Sequence, residues 1–279
     1  MREIEEKAGA AADYLRKSVQ GTFPVGVVLG SGLGGSSLDM GDLVSIPYEA
    51  IPGFPVTTVT GHQGNLLAGK VHDVPVLVMQ GRFHLYEGYH MKDILLPLWT
   101  LHLLGVSSLI LTNASGGINV ACMPGDLVLV NDHINLMGTN PLVGVRDDEG
   151  RSRFLDMTQA YDQGLAAVAR KTAAEMGIAL KSGVMAAVLG PVYETPAEIG
   201  MMERMGADLV CMSTVPEVII ANYLGMRVLA ISLVCNRAAG LAGHRLAHDE
   251  VLKTAASRGP LFARLLDGII GRMASEGVV

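Results

Sequence analysis

Four short segments far apart in the chain each carry groups that can hold an anion. A serine hydroxyl stands among glycine amides in residues 30–35, and an arginine and a histidine lie in residues 80–89. Small residues leave backbone N–H groups accessible in residues 113–117, and two hydroxyls mark a predicted helix start in residues 211–217. One such loop is common, but four in order predict a binding site for an anionic ligand.

These segments come near the ends of predicted strands. Residues 30–35, 113–117 and 211–217 directly follow apolar runs, and Arg82 and His84 follow a strand that should end at Met79. In an open α/β sheet, ligands bind at the carboxyl edge of the strands. The pattern therefore predicts that the segments meet at one edge of a sheet.

The glycine-rich segment has two competing interpretations. Residues 30–35 formally match the G-x-G-x-x-G fingerprint of dinucleotide-binding proteins, with Asp42 or Glu49 as a loose acidic partner. In such proteins a helix follows the glycines directly, yet three prolines between residues 47 and 55 interrupt any long helix here. An anion cradle around the Ser31 hydroxyl, or a plain glycine turn, is therefore favoured over a nucleotide-binding fold.

Arg82 and His84 supply the chemistry that a phosphate group needs. Arginine offers a planar fork of donors, and histidine can bond to an anion or exchange a proton with it. A surface arginine beside a structural histidine explains the same pair equally well in isolation. A metal site formed by His84, Glu87 and His90 is disfavoured because no further ligand cluster supports it.

Glu194 and Asn236 each follow an apolar strand in the predicted arrangement. A carboxylate accepts hydrogen bonds and an amide both donates and accepts, so together they can recognise the polar edge of a heteroaromatic ring. Taken singly, each residue is more often a helix cap or a loop residue. Residues 113–117 carry the same ambiguity, since a plain turn has the same composition.

Composition excludes several classes of protein. The chain has 279 residues, a net charge of −6 and 49% hydrophobic residues, and its mean hydropathy is +0.36. Without clustered cations a nucleic-acid partner is not expected. The charged amino terminus and the absence of a clean apolar span predict a cytoplasmic protein without a membrane partner. Three cysteines without zinc-type spacing are expected to be buried thiols: Cys122, Cys211 and Cys235.

The apolar runs and helical periodicities predict an α/β fold in a single domain over residues 1–279. Helices are expected over residues 3–19 and 249–273, and whether Gly259–Pro260 interrupts the second is left open. Two capping boxes, beginning at Thr195 and Thr214, predict two further helix starts. Strands are predicted over residues 24–29, 65–71, 74–79, 109–112, 127–130, 184–189, 207–211 and 227–234.

Taken together, the motifs resemble the trimeric purine nucleoside phosphorylase family from Val25 to Val251. The joint occurrence of these strings in order is highly specific. They stand at residues 29–35, 61–64, 80–89, 112–117, 131–135, 190–195, 212–217 and 248–251. The resemblance implies a central mixed, twisted β-sheet flanked by helices. It also implies reversible phosphorolysis of purine (2′-deoxy)ribonucleosides such as inosine and guanosine, a step of purine salvage.

The resemblance also implies roles for individual residues. His84, Glu194 and Asn236 would be catalytic, and Tyr193 would pack against the base that Glu194 and Asn236 bind. Phosphate would be held by Ser31, His62, Arg82, His84, Ala114 and Ser213, and ribose by Tyr86, Met212, His248 and Phe154. Inorganic phosphate is a co-substrate in this reaction, and the family needs no metal or organic cofactor.

Assembly is part of the expected site. In the family an aromatic residue reaches the sugar pocket of a neighbouring subunit, and Phe154 matches that residue. A homotrimer is therefore expected. Gln63 stands where a small residue is often seen and Tyr193 where phenylalanine is frequent, and neither departure removes a catalytic group.

Three other functions compete with this one. A 5′-methylthioadenosine phosphorylase normally carries aspartate at the position of Asn236 and lacks the histidine at His248. An NAD-dependent enzyme needs an acidic ribose ligand that the sequence does not convincingly supply. A non-catalytic nucleoside sensor is expected to have lost its phosphate ligands, which this chain retains.

Overall fold

The computed structural model describes residues 2–33, 38–59, 61–145 and 152–279. Strands in these ranges form a sheet in the order β2-β3-β4-β1-β5-β8-β7-β6-β9. They are β1 (Val25–Leu29), β2 (Gly41–Pro47), β3 (Asn65–Val71), β4 (Val74–Gln80), β5 (Ser108–Gly117), β6 (Leu127–Asn135), β7 (Leu180–Ala187), β8 (Leu209–Cys211) and β9 (Arg227–Arg237).

The sheet is mixed, and part of it closes on itself. β1 runs parallel to β4 and β5, whereas β3 is antiparallel to both β2 and β4. Because β9 pairs with β5 as well as with β6, strands β5, β8, β7, β6 and β9 form a closed ring. The predicted fold class, a central mixed sheet flanked by helices, is confirmed.

Helices cover both faces of the sheet. They are α1 (Arg2–Leu15), α2 (Met91–Leu103), α3 (Gln163–Glu175), α4 (Pro196–Arg204), α5 (Val215–Tyr223) and α6 (His248–Ser275). Helices α1, α2 and α5 contribute to one hydrophobic cluster, and α3 and α6 contribute to a second. This double cover explains the continuous apolar runs of strands such as β1 and β9, whose residues are buried on both faces. No helix in the described ranges is long and apolar enough to cross a membrane.

The strand register brings two of the predicted segments together. Leu29 of β1 pairs in parallel with Gln80 of β4. Ser31 and Arg82, each two residues later, therefore leave the sheet side by side. β5 lies on the other side of β1 and is parallel to it, so residues 113–117 share this edge.

Several predicted boundaries were wrong. Strand β2 was missed because all but one of its seven residues are exposed, which leaves no apolar signal. Asn113 and Asn236 lie inside β5 and β9 and not beyond them, because the two strands keep pairing through Gly117 and Arg237. Helix α6 continues through Pro260 without a break.

Candidate active site

A cleft opens where these segments meet. Eleven residues singled out from the sequence line it: Ser31, Arg82, His84, Tyr86, Ala114, Tyr193, Glu194, Met212, Ser213, Asn236 and His248. Val210, Cys211, Ala238 and Val251 add apolar lining. The structure thus brings the predicted residues together, and their individual roles stay predictions.

Arg82 is almost completely buried, with 1% of its surface exposed. Its Nη1 donates to the carbonyl oxygen of Thr112 at 2.6 Å and to Ser213 Oγ at 3.3 Å. Its Nε donates to Glu217 Oε1 at 3.2 Å, and its Nη2 lies 3.1 Å from Glu217 Oε2. The alternative of an ordinary surface arginine is therefore wrong.

His62 and His84 stand next to this arginine. His62 Nε2 is within hydrogen-bond distance of Ser31 Oγ at 3.1 Å, and its ring stacks on the His84 ring with 5.5 Å between centroids. His62 is not itself among the residues lining the cleft. Burial lowers the pKa of His62 to about 4 and also lowers that of His84. Both imidazoles are therefore neutral near pH 7.

Glu87 fixes the orientation of His84. Its Oε1 accepts a hydrogen bond from the His84 backbone amide at 2.8 Å and lies 3.0 Å from His84 Nδ1. Hydrogen bonds from His84 and Thr58 to the carboxylate lower the pKa of Glu87 to about 2 against the opposing effect of burial. Nε2 of His84 is the ring nitrogen left to meet a ligand. Among the described residues no group of three or more acidic, histidine or cysteine side chains is arranged for a metal.

The segment before α5 has an unusual backbone. Thr214 adopts φ 71° and ψ −52°, and the Val215 amide donates to the Ser213 carbonyl oxygen at 2.8 Å. This is the geometry of a classic γ-turn, which is rare and strained. The turn directs residues 212 and 213 into the cleft.

The predicted capping box at Thr214 is wrong. The Thr214 side chain accepts no capping hydrogen bond, because its hydroxyl is bonded to Asn113 and Ser213. Glu217, the other half of the proposed box, is paired with Arg82 instead. The box at Thr195 is confirmed, with both of its hydrogen bonds formed at the start of α4.

A second group of side chains lines the same cleft from β9 and from the loop between β7 and α4. Burial raises the pKa of the Glu194 carboxyl. Asn236 is 8% exposed, and its Nδ2 donates to the Arg237 carbonyl oxygen at 2.8 Å. Among the residues that the structure describes, none donates a hydrogen bond to the Asn236 amide oxygen.

Tyr86 packs against His84 in the lining of the cleft. Its ring stacks on that of His84 with 4.6 Å between centroids, and burial raises the pKa of its hydroxyl to about 12. Met212 lies against Gly190, where an added Cβ would come within 2.4 Å of the Met212 sulfur. Tyr86 and Met212 thus pack closely around Gly190 in the lining of the cleft.

Phe154 lies away from the cleft of its own chain. Its side chain is 80% exposed, with the Arg153 guanidinium 5.0 Å from the ring centroid. Two parts of the chain singled out from the sequence lie outside the described residues. They are residues 146–151, the polar segment before Phe154, and Gly34 and Gly35, the last two glycines of the first motif.

Comparison with known proteins identifies the family. Residues 24–271 match the model of the phosphorylase superfamily. Purine nucleoside phosphorylase 1 of Bacillus subtilis is 45% identical over 269 residues, which are 96% of this chain and 99% of the relative. The chain belongs to the purine nucleoside phosphorylase family.

Solved structures agree with this family assignment. The crystal structure of a Schistosoma purine nucleoside phosphorylase with hypoxanthine superposes with a TM-score of 0.90 at 40% identity, covering 95% of this chain and 96% of that one. The Schistosoma mansoni enzyme with inosine gives a TM-score of 0.89 at 39% identity, with the same coverage. The expected membership of the purine nucleoside phosphorylase family is confirmed.

One buried residue of this phosphorylase was missed as part of the site. Glu217 entered the sequence prediction only as a capping residue, whereas it is 5% exposed and paired with Arg82. The sequence carried a signal for this role. Apart from Glu217, all residues in the first two turns of α5 are apolar. A carboxylate in such surroundings requires a buried partner.

Proposed function

We propose that this phosphorylase catalyses the reversible phosphorolysis of purine (2′-deoxy)ribonucleosides, with inosine and guanosine as substrates. The products are the free purine and pentose 1-phosphate. One observation carries the proposal: the anion-binding set of Ser31, Arg82, His84 and Ser213 shares a single cleft with Glu194 and Asn236. Phosphate and a purine can therefore meet across a sugar.

The chemistry of the cleft suits cleavage of an N-glycosidic bond. Positive charge develops on the sugar and negative charge on the leaving purine, so an oriented anion and hydrogen bonds to the base both stabilise the transition state. Hydroxyls, the Ala114 amide and Arg82 would orient phosphate beside the anomeric carbon. Neutral His84, whose Nδ1–H faces the Glu87 carboxylate, would accept a hydrogen bond at Nε2 from the P–OH group of hydrogen phosphate.

Base recognition would rest on Glu194 and Asn236. The carboxylate would accept from the N1–H of a 6-oxopurine, and Asn236 would bond to O6 and N7, where charge accumulates as the bond breaks. Hydrogen bonds that strengthen in the transition state accelerate the reaction. Tyr193 would pack on the ring, and His248 would meet the 5′-hydroxyl. The reaction as proposed needs phosphate as co-substrate and no metal or organic cofactor.

Phosphate-dependent release of hypoxanthine from inosine tests this function. We expect release that saturates with phosphate, vanishes in phosphate-free buffer and yields ribose 1-phosphate in equal amount. A Glu194→Ala variant should lose most activity, whereas Glu203→Ala, on the exposed part of α4, should not. Hydrolysis without phosphate, or no release at all, would refute the proposal.

The alternative is 5′-methylthioadenosine phosphorylase. Asn236 argues against it, because a 6-amino group pairs better with aspartate, and His248 argues for a polar 5′-hydroxyl in place of a thioether. A higher kcat/KM for methylthioadenosine than for inosine would reverse the order of the two candidates.

A cytoplasmic location stays a prediction.

A homotrimer is part of the proposal. Phe154 is 80% exposed, and a large exposed aromatic ring is a common feature of a protein interface. In the trimer it would cover the sugar in the cleft of an adjacent subunit. Because oligomeric sites shared in this way are closed by symmetry, each subunit would supply one ring and receive one.

A further inference from the structure

Arg82 and Glu217 form an ion pair buried beside the anion-binding set. Their side chains are 1% and 7% exposed. Arg82 follows β4, and Glu217 lies in the first turn of α5, 135 residues further along the chain. Among the described residues that line the cleft, Arg82 is present and Glu217 is absent. Glu217 therefore touches the arginine and not the space that a ligand would fill.

The pair changes what Arg82 can offer to an anion. Guanidinium holds carboxylate or phosphate best through two parallel donors on one edge. Here the edge formed by Nε and Nη2 faces Glu217, while Nη1 donates to Thr112 and Ser213. The bidentate fork anticipated for phosphate is thus already directed at a protein carboxylate.

The pair is also incompletely bonded. Nη2 of Arg82 and Oε2 of Glu217 are buried and close, yet neither makes a hydrogen bond of acceptable geometry with the described residues. Nη2 therefore retains donor capacity next to the Glu217 carboxylate. A buried donor without a hydrogen bond is costly.

We propose that Glu217 is a positioning residue that acts as the internal counterion of Arg82 and sets the affinity of the site for phosphate. This inference rests on the proposed function, because it assumes that phosphate is the anion. In the free protein Glu217 neutralises and orients the guanidinium. When phosphate binds, the two anions share Arg82, and the repulsion between them weakens phosphate binding and favours release of the phosphorylated product.

The inference predicts the behaviour of Glu217→Gln, which keeps the side-chain shape and removes the charge. Without phosphate this variant leaves the buried Arg82 charge uncompensated, which is strongly destabilising. A bound phosphate supplies the missing countercharge. The variant should therefore be less stable than the wild type in phosphate-free buffer and gain more thermal stability from phosphate.

Affinity is measured by calorimetric titration of inorganic phosphate into wild type, Glu217→Gln and the control Glu203→Gln on the exposed part of α4. We expect the phosphate dissociation constant of Glu217→Gln to fall by about tenfold, since removing one like charge within a few ångströms is worth at least that factor at protein dielectric constants. Its phosphate KM should fall while its inosine KM stays unchanged. A residue needed only for packing would weaken both ligands.

A folded Glu217→Gln variant with unchanged or weaker phosphate binding would overturn the inference, provided that the wild type phosphorolyses inosine. Absence of wild-type phosphorolysis is a different result and refutes the proposed function. If Glu217→Gln folds only in phosphate, the inference is supported. If it never folds, Glu217→Asp retains the charge at a longer distance from Arg82, and its phosphate affinity must exceed that of the wild type or the inference fails.

Discussion

The side-chain amide of Asn113 donates a 2.8 Å hydrogen bond to the hydroxyl of Thr214. Asn113 lies in β5, and Thr214 lies in the γ-turn before α5 at φ 71°. A β-branched residue with this φ is a genuine backbone outlier that costs about 1–3 kcal/mol and persists only where surrounding contacts enforce it. The bond from Asn113 is therefore part of what holds Ser213 in the cleft.

Asn113→Ala should lower the free energy of unfolding by about 2 kcal/mol, because it removes a buried hydrogen bond. In a Thr214→Gly background, where glycine adopts positive φ without strain, the same change should cost less. Urea unfolding of the wild type, both single variants and the double variant measures this coupling. Additive free energies would show that the two residues act independently.

The outcome at Thr214 shows how far sequence could predict this site. Residues that follow apolar runs, such as Ser31, were found because the register of parallel strands delivers them to one sheet edge. The Thr195 box was found because both of its partners are local. The role of Glu217 was missed because its partner, Arg82, is 135 residues away, and local patterns carry no information on such a contact.

Strand ends were missed for a related reason. An apolar run shows which residues of a strand have buried side chains. Strands β5 and β9 extend beyond these runs, because their backbones remain paired through Asn113 and Asn236. Polar residues inside these strands are tolerated because their side chains line the cleft. The polar residues that form the site therefore interrupt the apolar pattern, and the predicted strands are too short.

The stability of the protein should fall in acid through His62. Burial lowers the pKa of this side chain from its ordinary 6.5 to about 4. Between these values the unfolded chain binds a proton that the folded chain does not, so stability decreases as pH falls from 6.5 to about 4. The contribution of His62 is at most about 3 kcal/mol.

His62→Asn tests this pH dependence, because asparagine keeps a polar side chain and does not titrate. The free energy of unfolding, measured by urea titration at intervals from neutral pH into the acid range, should fall less steeply for the variant. His84 has a pKa lowered in the same direction, so part of the slope should remain. Parallel curves for variant and wild type would contradict the role assigned to His62.

Asn236→Asp should shift substrate preference from 6-oxopurines toward 6-aminopurines. Within the described part of the chain no residue donates to the amide oxygen of Asn236, and a carboxylate in its place suits a 6-amino group and repels O6. We expect the ratio of kcat/KM for inosine to that for adenosine to fall by about 10- to 100-fold, because leaving a buried polar group unpaired costs about 1–3 kcal/mol. Since the measurement is a ratio, general damage to the enzyme cancels. An unchanged ratio would remove Asn236 from base recognition.

Phe154→Ala should raise the nucleoside KM and leave the assembly folded, because the ring is 80% exposed in its own subunit and is proposed to contact only the neighbour's sugar. Val120→Ala is the matched control, since Val120 is 75% exposed and does not line the cleft. Native mass measurement should give three chains for the wild type and both variants.

A sharper test mixes Phe154→Ala with a variant inactivated at Glu194 under conditions of subunit exchange. In mixed trimers some clefts combine an intact Glu194 with an intact neighbouring Phe154, so a shared site predicts partial recovery of activity. Proven exchange without recovery, or a native mass of one chain, would exclude the shared site.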